Sequence, residues 1–71
     1  MDTNYWVHDE RIYGPVSYTG FFIQNGRIHG PTGKTDVQLE GVRIRGPDGD
    51  TGYWIENNHI FGPAAKPPWG A

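Results

Sequence analysis

Three histidines, His8, His29 and His59, are the side chains of this sequence most suited to holding a transition metal. They would have to converge to do so. Each falls at a different position of the internal repeat described below, so a periodic fold is not expected to bring them together, and no metal site is expected. "PDGDTG", residues 47–52, has the acidity of a calcium loop but neither the spacing nor the terminal Glu of an EF-hand, so Asp48 and Asp50 read as turn residues. Ser17 is the only serine, and no nucleophile elbow, Gly-rich phosphate loop or distinctive acid/base pair accompanies it. The expectation is a non-enzyme that needs no cofactor.

Binding chemistry is the alternative, and aromatic and guanidinium groups are its candidates. Trp6, Tyr13, Phe22, His29, Trp54 and Phe61 present flat rings on which sugars, bases or peptide prolines could stack, or which could close a protein interface. Arg11, Arg27 and Arg43 recur at a single repeat position, and Arg beside aromatics on a sheet face is a combination used for RNA. With six Lys and Arg against eight Asp and Glu, however, the formal charge is −2, so no overall positive field favours nucleic acid or an anionic membrane. Nucleic acid is therefore the third expectation, after protein contact or self-association and after glycan binding.

The elements that must position these groups follow from a sixteen-residue period. Ile12, Ile28, Ile44 and Ile60 share one register with the Gly-Pro pairs that begin at Gly14, Gly30, Gly46 and Gly62 and with Thr3, Thr19, Thr35 and Thr51. The copies are 3–18, 19–34, 35–50 and 51–66, read together as one domain, and residues 67–71 form a Pro-rich tail. The centre of each copy holds a pair suited to a tight turn. Asn25-Gly26 and Asn57-Asn58 tolerate the positive φ of a type I′ turn, Gly41-Val42 suits type II′, and Asp9-Glu10 carries the weakest signal.

A two-residue turn fixes the register of its flanking strands. In the last copy Glu56 then opposes His59, Ile55 opposes Ile60, Trp54 opposes Phe61 and Tyr53 opposes Gly62. Side chains alternate across a strand, so each hairpin has an aliphatic face and a mixed face. The aliphatic face collects Tyr5, Val7, Ile12, Phe21, Ile23, Ile28, Val37, Leu39, Ile44, Tyr53, Ile55 and Ile60. The mixed face collects the stacking candidates and the arginines, with Gln38 and Arg45 interrupting the aromatic row in the third copy. On it, Glu40–Arg43 and Glu56–His59 are expected as cross-strand pairs. Gly-Pro ends each hairpin, since Gly lets the opposing aromatic (Tyr5, Phe21 or Tyr53) lie against it and Pro has no N–H to donate.

The fold class is thus all-β: four hairpins forming an antiparallel meander, a small barrel or a hairpin array, with a β-solenoid as the alternative. An open meander would leave two edges, and edges pair. The expected function is a binding or self-assembly module, possible glycan contact being the runner-up, with Trp6, Tyr13, Phe22, Trp54, Phe61, Arg11 and Arg27 as the contact residues. Trp6, Tyr13, Trp54 and Phe61 lead because Trp and Tyr dominate interface energetics. Trp69 reads either as a cap folded over an open end of the core or as a docking peptide. The absence of cysteine removes disulfides and thiolate zinc sites. The first residues, "MDTNYWVHDE", have no leader character, and no run is long enough to span a membrane, so a soluble, cytoplasmic chain is the default expectation.

Overall fold

The computed structural model describes residues 1–69. Eight antiparallel strands follow one another around a closed barrel: β1 (Asp2–His8), β2 (Arg11–Tyr13), β3 (Tyr18–Gln24), β4 (Arg27–Gly30), β5 (Gly33–Glu40), β6 (Arg43–Gly46), β7 (Gly49–Glu56) and β8 (His59–Phe61). Each odd strand turns into the next even one through the two-residue reversal that its sequence anticipates. Asn25 and Gly26 have φ of 54° and 75°, and Asn57 and Asn58 have 52° and 66°. Gly41 alone is positive in its pair, at 63°, as a type II′ turn requires. Asp9 and Glu10 adopt 51° and 66°, so this least favourable pair still makes the type I′ geometry, imposed by the register on either side of it.

The pairings are those the turns dictate. In the last hairpin Trp54 faces Phe61, Ile55 faces Ile60 and Glu56 faces His59. Stacked parallel coils are therefore not the arrangement, and the meander closes as a small barrel. The twelve aliphatic-face side chains all enter the core cluster, joined by Trp69. Ile12, Ile28, Ile44 and Ile60 form its fully buried middle layer. Val7, Ile23, Leu39 and Ile55 make a half-buried ring toward the hairpin turns, and Tyr5, Phe21, Val37 and Tyr53 make a second ring, with Val37 and Tyr53 buried, toward the end where successive hairpins join.

The recurring threonines join one hairpin to the next. Thr19, Thr35 and Thr51 each donate a hydrogen bond of 2.6 Å to the carbonyl of the Ile seven residues earlier, and Thr3 donates one of 2.7 Å to Ile60. Each threonine oxygen also accepts from the N–H two residues on, at Tyr5, Phe21, Val37 and Tyr53. The register shifts at these junctions. Such bulges bend the strand, and bending at every junction curls a short meander until its ends meet.

Closure removes the two edges expected of an open meander. β1 and β8 pair with each other, and the chain start is fixed there as well: the Met1 amino group donates to the Gly62 carbonyl at 2.8 Å, and the Gly62 N–H donates to the Met1 carbonyl at 2.9 Å. Any association between copies must therefore use side chains on the barrel wall or its ends.

Candidate functional site: an aromatic belt on the barrel wall

The mixed faces of the hairpins become the outer wall. In the first, second and fourth hairpins the positions nearest the join carry cross-strand ring pairs. Trp6 and Tyr13 lie 5.9 Å apart at 10°, Phe22 and His29 5.3 Å apart at 13°, and Trp54 and Phe61 5.7 Å apart at 14°. All six rings are half-buried by one another. Gln38 faces Arg45 in the third hairpin, where the belt is interrupted as its sequence implies.

Closure of the barrel joins the two Trp-bearing hairpins side by side. His59 of β8 sits 6.5 Å from Trp6 across the β1–β8 seam, and Tyr18 of β3 sits 5.3 Å from Tyr13. Trp54, Phe61, His59, Trp6, Tyr13 and Tyr18 consequently span five consecutive strands, from β7 through β8, β1 and β2 to β3. Neither His59 nor Tyr18 is among the aromatics singled out from the sequence. His59 is legible only once β8 is known to lie beside β1, and Tyr18 only once the strand is known to begin before the bulge.

Within each hairpin pair the rings stand face to face, while His59 and Tyr18 approach at a tilt. Trp6 is flanked by Tyr13 on one side and by His59 on the other. Trp54 has Phe61 on one side and the Arg43 guanidinium 5.9 Å from its ring centre on the other, and its Nε1–H donates to Glu56 at 3.2 Å. With both indole faces occupied, ring edges are what this wall offers to a partner. A sugar that stacks on a flat ring would have to displace a neighbour first.

Ion pairs on the wall differ from the two expected across the turns. Glu40 pairs diagonally with Arg45 at 3.2 Å, leaving Arg43 to cross to the next hairpin, where it meets Asp50 at 2.6 Å. His59 approaches Asp2 across the seam at 3.3 Å, instead of Glu56. Glu40 thus stays within its own hairpin, whereas Arg43 and His59 each take a partner from the strand of the adjoining hairpin, β7 for Arg43 and, across the closing seam, β1 for His59. Asp50 lies well placed for this: the Gly52 N–H donates to its carboxylate at 2.9 Å, and that bond together with Arg43 holds its pKa below the ordinary carboxylate value.

The three arginines of one repeat position do not form a single basic surface. They lie on β2, β4 and β6, and so point from successive parts of the circumference. Arg43 is engaged with Asp50 and Trp54, while Arg27 faces Gln24 and Gln38. Arg11 faces Phe22 and lines an open groove of about 480 Å³ between the first turn and β3, with Asp9, Glu10, Tyr18, Ile23 and Gln24 as its other walls. Among the described residues, no group of three or more His, Asp or Glu side chains could hold a metal ion.

No family model, curated protein or solved structure matches this chain.

Proposed function

We propose that the chain is a non-enzymatic protein-contact module, and that the aromatic belt of β7, β8, β1, β2 and β3 is its contact surface, with a second copy of the chain as the partner. What supports this reading is the contact of His59 with Trp6 across the seam, which sets the Trp54/Phe61 and Trp6/Tyr13 pairs on adjoining strands of one largely aromatic wall. Trp and Tyr at such a centre supply most of an interface's energy. Glu56 and His8 toward the turns supply a polar rim, and the Asp2–His59 pair is a polar contact within the seam itself. A two-fold contact would bring belt against belt, since an isologous interface uses the same patch on both copies.

Sedimentation velocity across low to high micromolar concentration tests the reading. The expected result is a monomer–dimer equilibrium whose dissociation constant rises at least tenfold in Trp6→Ala and in Trp54→Ala, while Gln38→Ala, on β5 and opposite the belt's centre at β1, leaves it unchanged. A monomer at high micromolar concentration would overturn it.

A glycan reading attaches to the groove rather than to the belt. There Tyr18 and Phe22 offer rings beside Asp9, Glu10, Arg11 and Gln24, whose planar polar groups suit sugar hydroxyls. Oligosaccharide titration followed by amide shifts at Arg11 and Gln24 distinguishes it, and an absence of shifts removes it. Nucleic-acid binding is the weakest of the three, because Arg11, Arg27 and Arg43 face different ways.

A further inference from the structure

At the end where the hairpins join, the barrel is closed by a piece of its own chain. The ring of side chains there is Tyr5, Phe21, Val37 and Tyr53, three aromatics and one smaller aliphatic. Trp69 adds a further ring: its indole stacks on Phe21 at 5.1 Å and 29°, and meets the Tyr5 ring edge-on at 6.1 Å and 88°. Pro67 is buried and Pro68 half-buried beside it. The Tyr53 hydroxyl donates to the Lys66 carbonyl, the one side-chain hydrogen bond to the segment among the described residues.

These are the features of a peptide site. A hydroxyl on an aromatic residue reads a backbone carbonyl, apolar walls take prolines whose φ is already fixed, and an aromatic side chain enters the deepest position. The fit of the resident segment is nevertheless incomplete. Among the described residues the buried Nε1–H of Trp69 has no hydrogen-bond acceptor, whereas the Tyr53 hydroxyl at the same end finds a carbonyl. A cap selected for stability alone would have no reason to carry that unpaired donor, because a Phe or Leu would seal the same ring without it.

We infer that this end of the barrel is a binding site for a proline-proline-aromatic peptide supplied by a partner protein, and that residues 66–69 occupy it as a built-in competitor. The resident segment gives the chemistry of the ligand: a carbonyl for Tyr53, one buried proline and a planar ring for Phe21 and Tyr5. Being tethered, it holds the site at a high effective concentration, so a partner's peptide must exceed it in intrinsic affinity, or the segment must first be drawn away. Having no unpaired donor to bury, a peptide with Phe at the ring position would be the better ligand. The site lies on the barrel end, apart from the wall that carries the proposed self-contact.

The test adds the synthetic peptide AAKPPW, and its AAKPPF counterpart, to Trp69→Ala and to the unaltered chain. Because Trp69→Ala retains Trp6 and Trp54, binding is read from NMR shifts at Tyr5, Phe21 and Tyr53. Expected is saturable binding to Trp69→Ala at least tenfold tighter than to the unaltered chain, tighter again with AAKPPF, and lost with AAKGGA. Tyr53→Phe in the Trp69→Ala background should weaken binding severalfold while leaving the ring in place. If Trp69→Ala does not fold by itself, added AAKPPW is expected to restore the barrel's β-sheet circular dichroism. Equal affinity for both chains, no shifts in a folded Trp69→Ala, or no restoration of an unfolded one at millimolar peptide would each overturn the proposal. Trp6→Ala and Trp54→Ala should leave peptide binding unaltered, so the outcome is separable from that of the sedimentation experiment.

Discussion

Gly62 cannot accept even a methyl group, because a Cβ there would overlap Cδ2, Cε2 and Cγ of the Tyr53 ring. The ring is itself buried and tied at its hydroxyl to the Lys66 carbonyl, so it has little room to move aside. At Gly30 the added Cβ would lie 2.9 Å from the Phe21 ring edge, and at Gly14 and Gly46 it would meet Tyr5 or Thr51 at 3.1 or 3.2 Å. We expect Gly62→Ala to be the most damaging of the four, costing more than about 3 kcal/mol, with Gly30→Ala next and Gly14→Ala and Gly46→Ala within the usual overpacking range of about 1–3 kcal/mol. Urea unfolding of the series checks the order, and a Gly62→Ala as stable as Gly14→Ala would show that the ring is not fixed as described. The glycines' role was visible beforehand, since a two-residue turn places Tyr5, Phe21 and Tyr53 opposite Gly14, Gly30 and Gly62. The threonines' role was not. Their spacing marks the period, but a hydroxyl that bonds the preceding hairpin's carbonyl has a meaning only when that hairpin's position is known.

At the level of the hairpin, turn chemistry and twofold alternation were enough to set every strand pairing within a hairpin. What they leave open is the pairing between hairpins, because segments such as "VSYTG" have no fixed reversal and each junction holds a bulge. The aromatic pairs within hairpins were therefore legible, and the His59–Trp6 and Arg43–Asp50 contacts between hairpins were not. The first turn also shows register overriding local preference. Glu10 has a φ of 66° with no glycine or asparagine to ease it. A left-handed residue other than Gly or Asn costs about 1–2 kcal/mol, and an added glycine returns about 0.4–1 kcal/mol to the unfolded chain. Glu10→Gly should therefore raise stability by roughly 0.5–1 kcal/mol, seen as a higher thermal midpoint, whereas Asn58→Gly, starting from a tolerant residue, should change it less. An unchanged or lower midpoint for Glu10→Gly would mean that the Glu side chain contributes something the geometry does not reveal.

For the whole molecule, the seam between β8 and β1 is chemically one of four equal joints. Val7 N–H donates to the Asn58 carbonyl at 2.7 Å, as Ile23 does to Glu10 and Leu39 to Gly26 at the same length, and Ile55 to Val42 at 2.8 Å. The threonine bond at the seam has the same partners as those elsewhere, yet it joins residues 57 apart in sequence instead of 7. Loop closure over that longer span costs about 2 kcal/mol more, at about 0.6 kcal/mol for each doubling of length. The cost belongs to wherever the chain happens to be cut, since one joint of a closed ring must always be non-local. A circular permutant opened after Val16, which is 94% exposed, and joined from beyond Trp69 to Met1 by a flexible Gly/Ser linker makes the present seam local and the Ile12–Thr19 joint distant. If the four joints are equivalent, the permutant folds to the same barrel with stability within about 1 kcal/mol of the parent, in keeping with the tolerance of exposed loop tips to opening. Denaturant unfolding supplies the stability, and NMR shifts of Ile12, Ile28, Ile44 and Ile60 supply the fold. A permutant that fails to fold would mean that the β1–β8 seam is the joint on which the other three depend, and that the chain start at Met1 must be pinned to Gly62 before the barrel can close.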